Sequence, residues 1–303
     1  MQYHANLHKS LAGFLTLLLI SGCSLSTLSS KASPVPATEA IQTTPAPSPS
    51  LPPPTLQATP RQPTATSRPV CIEQQGEWQT DSLPAKGMDG EVPFKIYLPP
   101  CYSFDPKTRF PVLILLHGSG TGGDENMWPN FGLAEVMDNK IAAGMPPFLV
   151  VSPRIYNLQG DYLAVSQTIA KTLVAYVDSH YRTKASAAYR ALGGLSYGAV
   201  WTVRTATVYP EDFSKLGMHS NAVELDDMVA FSQKMLTLKP EDRPLIWMDA
   251  GANDFYLWSN TKMDELLNTD AISHFWHLGQ GAHDQAYWRS NLDVYLSFYA
   301  ANW

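Results

Sequence analysis

The sequence predicts one α/β domain over residues 71–303, a mostly parallel central sheet with helices on both faces. Three observations carry this prediction. Apolar, β-branched runs recur from Val92 onward at spacings that leave room for a helix between successive runs. One of them, residues 111–116, is almost wholly apolar, as a strand covered on both faces must be. The chain before Cys71 has a composition that cannot form a core, so the foldable part is confined to the remainder, which is long enough for one large domain.

The strand candidates, in order, are residues 92–98, 112–117, 148–152, 189–193, 215–219, 245–249 and 273–278. Helix candidates lie between and after them at 131–143, 162–181, 197–209, 226–238 and 283–300, with a shorter one near 263–268. Within 162–181, Leu163, Ile169, Leu173, Val174 and Val177 form an apolar stripe at helical spacing, and Pro210 stops the 197–209 helix. No repeat of 20–50 residues is present, which excludes solenoids and propellers.

The first 70 residues read as an address. Residues 1–10 are polar and carry Lys9, and 11–20 are apolar but too short to span a bilayer. Ile20-Ser21-Gly22-Cys23 then resembles a bacterial lipobox, so residues 1–22 are expected to be a lipoprotein signal peptide and Cys23 the lipidated residue. The alternative is an ordinary cleaved signal with a chance cysteine. Eleven of the 24 prolines fall between Pro34 and Pro69, and residues 24–70 hold no aromatic side chain. Such a segment cannot offset its ordering entropy, so 23–70 is expected to be a disordered tether. The expected product is exported, lipid-anchored to a bacterial membrane, and extracytoplasmic, with the lipid its only membrane contact.

Charge and cysteines narrow the classes further. From Cys71 on there are 17 basic and 26 acidic residues and no Lys/Arg run, which excludes nucleic-acid binding. With Cys23 assigned to lipid, Cys71 and Cys101 remain as an even pair in an exported domain, and a disulfide is expected between them. Neither sits where a nucleophile would, and the pair supports no metal site.

The sharpest chemical signal is Gly194-Leu195-Ser196-Tyr197-Gly198, a G-x-S-x-G motif between a strand and a helix candidate. In that setting the serine occupies a strained turn, and the flanking glycines let strand and helix pass closely. The helix N-terminus favours negative charge developing beside it. A second element, Leu116-His117-Gly118-Ser119-Gly120, ends an apolar strand in a glycine-rich loop that lacks any phosphate-loop pattern. His117 is expected to orient that loop by hydrogen bonding. The base and its orienting acid should follow the serine. His274 and His277 read as structural, His180 sits at a helix end, and His219 comes too early. His283, in a loop after the last strand, is the expected base. For the acid, Asp254 falls just past the strand at 245–249, whereas Asp249 lies within its end, so Asp254 is favoured.

The segments HGSGTGGDENMW, GGLSYGA, DAGANDF and GAHDQAYWR, in this order and spacing, resemble the esterase D-type family of α/β-hydrolases. That family includes feruloyl and acetyl-xylan esterases and mycolyltransferases. The resemblance implies the α/β-hydrolase fold, with Ser196 as nucleophile, Asp254 as acid and His283 as base. It also implies an oxyanion hole from the backbone N–H groups of Tyr197 and Ser119. The expected activity is that of a serine carboxylester hydrolase on small or carbohydrate-linked esters, needing no metal or organic cofactor. A mycolyl-type acyltransferase, or a non-catalytic binding lipoprotein on the same scaffold, are the alternatives. Trp128, Tyr156, Tyr197, Tyr256, Trp258 and Trp288 are candidates for an apolar wall at the mouth, each with simple packing as its competing explanation.

Overall fold

In the computed structural model, residues 71–84, 91–120, 122–158 and 161–303 are described. The segments expected to be a signal peptide (1–22) and a tether (23–70), with Cys23, lie outside them. Eight strands form one sheet: β1 (Glu77–Leu83), β2 (Val92–Leu98), β3 (Val112–Leu116), β4 (Leu149–Pro153), β5 (Arg190–Leu195), β6 (Lys215–His219), β7 (Leu245–Asn253) and β8 (Phe275–Ala282). Their order is β1-β2-β4-β3-β5-β6-β7-β8. Only β1 and β2 run antiparallel to their neighbours, and β4 through β8 are parallel.

The alternation of side chains along β3 shows why both faces must be covered. Ile114 and Leu116 enter one core, packed with Val177 of α4 (Val174–His180), Val203 of α5 (Tyr197–Val208), Phe231 of α6 (Leu225–Thr237) and Met263 of α7 (Leu257–Thr269). Leu113 and Leu115 enter the other, with Trp128 of α1 (Met127–Asn130), Met137 of α2 (Leu133–Ala142), Tyr287 of α8 (Gln285–Ser290) and Leu296 of α9 (Leu292–Ala300). A strand with no solvent face has no polar positions, which is the pattern the sequence displays. The result is the single α/β domain the sequence predicts.

The structure departs from the sequence reading in particular places. β1 was not anticipated, because an edge strand needs little apolar character: its seven residues pair with Val92–Leu98, yet only its last is buried. The helix expected over 162–181 is α3 (Tyr162–Gln167) and α4 joined by a π-helical turn, Thr168–Leu173, which keeps Ile169, Ala170 and Leu173 on the buried face. The helix expected over 283–300 begins later and is broken. Asp284 accepts the Tyr287 amide at 2.9 Å and starts α8, leaving His283 outside it, and Asn291 Nδ2 donates to Tyr287 O at 2.8 Å and ends α8. Helix α7 is twice the length expected, 13 residues.

Cys71 and Cys101 form a disulfide with Cα atoms 5.9 Å apart. They and Glu73 form a group of potential metal ligands among the described residues, but both sulfurs are engaged in the bridge. No helix among the described residues is long and apolar enough to cross a membrane.

Candidate active site

Strand register brings the sequence-predicted residues together. Leu195 pairs with His219 and His219 with Asp249, so the chain leaves β5, β6 and β7 side by side at the sheet's carboxyl edge. Asn253 of β7 pairs with Ala282 of β8, and the next residues in the two chains are Asp254 and His283. The pairing slips by one residue between Gly251 and Asn253, so that two residues of β8, Gln280 and Gly281, oppose Ala252 alone. A bulge of this kind re-aims the side chain that follows it.

Ser196 is the turn between β5 and α5. Its φ of 51° and ψ of −114° are rare for a residue with a Cβ, at a cost of about 1–3 kcal/mol. The surrounding structure holds it there. Its amide donates to His219 O at 2.9 Å, and its carbonyl accepts from Ala199 and Val200. The two motif glycines are required by space. A Cβ on Gly194 would lie 2.5 Å from the Gly198 carbonyl carbon, and one on Gly198 2.5 Å from Leu116 O.

His283 Nε2 lies 2.9 Å from Ser196 Oγ, and Nδ1 lies 2.9 and 3.0 Å from the two Asp254 carboxylate oxygens. Asp254 Oδ1 also accepts the Tyr256 amide at 2.7 Å. Asp254 and Ser196 are both nearly buried. Burial by itself pushes the Asp254 carboxyl up. The hydrogen bonds from His283 and the Tyr256 amide, together with the Ser220 hydroxyl, outweigh it and hold the group below its ordinary value. An ionised carboxylate therefore faces Nδ1, which fixes the tautomer with Nε2 turned to the serine.

The glycine-rich loop after β3 lies alongside. A Cβ on Gly118 would stand 3.5 Å from Ser196 Cβ. His117, fully buried, donates from Nδ1 to Gly118 O at 2.7 Å and accepts the Ile155 amide on Nε2 at 3.0 Å. It ties the loop to the end of β4, and burial keeps it neutral by lowering its pKa. Arg154 at that same strand end grips the nearly buried Glu125 with bonds of 2.5 and 2.8 Å. Tyr197, the first residue of α5, has no carbonyl four residues back inside the helix, so its N–H points out of the helix end.

The aromatic candidates divide. Trp128 is fully buried and donates to Leu116 O at 3.2 Å, and Trp288 is buried with Nε1 on Ser220 Oγ at 3.0 Å. Both belong to the core beneath the site and not to its rim. Tyr156 is about half exposed and stacks on Tyr197, with ring centres 5.5 Å apart. Trp258 is half exposed in the first turn of α7, and Tyr256 packs edge-on to His283. Sequence reasoning missed Phe255, two-thirds exposed with its ring 4.5 Å from His283. It also missed Ser220, whose φ of 45° follows directly on His219. The remaining histidines are structural or peripheral. His274 is tied to Asp264 at 2.8 Å, His180 bonds its own helix, and His277 is exposed on the edge strand β8.

This strand order, with a serine on a strained strand-to-helix turn and a histidine–carboxylate pair on the next strand ends, defines the class: an α/β-hydrolase. Residues 85–299 match the esterase family described as "Putative esterase", and the chain belongs to that family. Over 149 residues it is 33% identical to an endo-1,4-beta-xylanase/feruloyl esterase of Xylanibacter ruminicola, a match covering 44% of this chain and 20% of that protein. The chain thus spans about a fifth of the length of that relative. Among solved structures it resembles a ferulic acid esterase at 21% identity and a TM-score of 0.66, covering 75% of this chain and 98% of the other. It also resembles a feruloyl esterase module from Clostridium thermocellum complexed with sinapinate, at 18% identity and a TM-score of 0.66, covering 77% and 90%. At these identities the structural likeness is one of fold.

Proposed function

We propose that the protein cleaves carboxylic esters through an acyl-enzyme on Ser196, with His283 as general base and Asp254 as its orienting acid. The observation that carries this reading is the unbroken hydrogen-bond sequence from Ser196 Oγ through His283 to Asp254. Ser196 Oγ attacks the ester carbonyl as its proton passes to His283 Nε2, and Asp254 stabilises the imidazolium that forms. The tetrahedral oxyanion is held by the N–H groups of Tyr197 and Ser119. It collapses as the alcohol leaves with the proton from His283, and water then repeats the sequence on the acyl-enzyme.

The acyl group we propose is aromatic, of the hydroxycinnamoyl type, on a carbohydrate alcohol. Support comes from the feruloyl esterases the chain resembles and from two exposed rings, Tyr156 stacked on Tyr197 next to the nucleophile and Phe255 against His283. A flat aryl group stacks on such surfaces with geometry an alkyl chain lacks. We further propose an exported protein lipid-anchored through Cys23. The Cys71–Cys101 disulfide supports an oxidising compartment.

The test uses the full chain and Ser196→Ala on methyl ferulate, methyl octanoate and p-nitrophenyl acetate. The expected result is turnover that disappears in the variant, with methyl ferulate giving a higher kcat/KM than the alkyl methyl ester of similar size, methyl octanoate. Turnover surviving in Ser196→Ala refutes the nucleophile, and preference for the alkyl acyl group refutes the substrate class.

A further inference from the structure

Beneath the active site a polar cluster is sealed from solvent. Asp249 and His219, both fully buried, are joined at 2.7 Å between Oδ1 and Nδ1, and Trp247 Nε1 donates to the same oxygen at 3.1 Å. The other oxygen accepts two phenols, Tyr287 at 2.9 Å and Tyr295 at 2.7 Å. Tyr299 OH lies 2.9 Å from His219 Nε2. Four donors satisfy a buried carboxylate as an anion. Burial and that negative charge push Tyr287 and Tyr295 up, so both phenols remain protonated donors.

The two phenols on Oδ2 differ in one respect. Tyr287 touches the segment that carries His283, whereas Tyr295 stacks on His219 at 3.7 Å between ring centres. Positions opposite the Tyr287 ring have no side chain. A Cβ on Gly279 would lie 2.9 Å from its Cε2, and one on Gly281 2.8 Å from its Cδ2. Gly281 has φ of 135° and sits in the bulge of β8, two residues before His283. A bulge that holds Gly281 and follows directly on Gly279 is conformationally soft. The ring braced against it cannot slide while its hydroxyl is tethered to Asp249.

We propose that Tyr287 is a positioning residue: tethered to Asp249, it braces residues 279–282 and so sets where His283 meets Ser196. This rests on the Ser196–His283–Asp254 reading above. Removing the hydroxyl keeps the ring but frees its depth, and the Nε2–Oγ contact loosens by a fraction of an ångström. Since a displacement of about 1 Å costs about 10²-fold in rate, the expected loss is about tenfold in kcat.

The experiment compares Tyr287→Phe with Tyr295→Phe in the full chain, measuring kcat, KM and Tm on p-nitrophenyl acetate. Each variant loses one hydrogen bond to the same carboxylate oxygen, so both should melt lower by a similar amount, about 5 °C. Tyr287→Phe should lower kcat about tenfold with KM within twofold of wild type. Tyr295→Phe should keep kcat within twofold. Gly281→Ala, which presses on the same contact from the loop side, should reproduce the kcat loss at unchanged KM and serves if Tyr287→Phe does not fold. Equal kcat losses in the two tyrosine variants, or wild-type kcat in Tyr287→Phe or Gly281→Ala, overturn the proposal. Ser196→Ala in the same assay separates the two readings. Turnover surviving there removes the nucleophile itself, while abolished turnover with normal Tyr287→Phe removes only the brace.

Discussion

Replacing Asp254 by Asn tests the electrostatics of the site with little change in shape. The His283 ring nitrogen and the Tyr256 amide both point at Oδ1, at 2.9 and 2.7 Å, so an asparagine with its carbonyl on that side keeps both bonds. What disappears is the negative charge facing the imidazolium as Ser196 attacks. Opposite charges about 4 Å apart attract by about 4 kcal/mol at an effective dielectric constant of about 20. The retained amide dipole offsets about 1 kcal/mol of that, as a neutral hydrogen bond does. The remaining 3 kcal/mol or so corresponds to a fall of about 10²-fold in kcat. KM should stay within threefold, since the charge faces the imidazole and not the substrate. Steady-state kinetics on p-nitrophenyl acetate, beside near-ultraviolet circular dichroism to verify folding, measure both. A kcat within fivefold of wild type in a folded variant refutes the role given to Asp254.

The same carboxyl makes stability depend on pH with a definite sign. Its folded value lies below the ordinary carboxylate value of about 3.9, so its contribution is complete above that value and is lost as pH falls through the lower folded value. Urea unfolding of wild type and Asp254→Asn should therefore differ most near neutrality, with the gap shrinking as pH falls below the ordinary carboxylate value of about 3.9. A gap that widens on acidification contradicts this. Gly198→Ala would place a Cβ 2.5 Å from Leu116 O, backbone that cannot swing aside, and should cost about 1–3 kcal/mol and several degrees of Tm along with activity. Wild-type melting and turnover would show that the elbow is not close-packed there. Cys71→Ser with Cys101→Ser opens a bridge between residues 30 apart, worth about 3–4 kcal/mol of loop entropy. Tm should fall by about 10 °C. Because β1 and β2 form the sheet edge opposite β8, kcat should be retained, and a Tm shift under about 2 °C would refute the estimate.

Where one residue type at one spacing had a single structural use, the sequence determined the outcome. Residues 112–116 have no polar position, and the structure buries them on both faces. The glycines flanking Ser196 mark the elbow because a Cβ on Gly198 would strike Leu116 O and one on Gly194 would strike the Gly198 backbone. Ser196, His283 and Asp254 were legible for a related reason: each follows immediately on a strand of a parallel sheet, and such strand ends meet at one edge. β1 was illegible because an edge strand draws its pairing from a neighbour and needs no apolar run of its own. For Trp128 and Trp288 the sequence offers both the mouth and simple packing, and the structure packs both beneath the site, since a sequence says that a large ring must be buried somewhere but not on which side of a loop. The bonds from Tyr287 and Tyr295 to Asp249 span 38 and 46 residues. Periodicity reports only neighbours along the chain. Contacts of that range exist only once β6, β7 and the C-terminal helices have packed, so tertiary structure alone decides them.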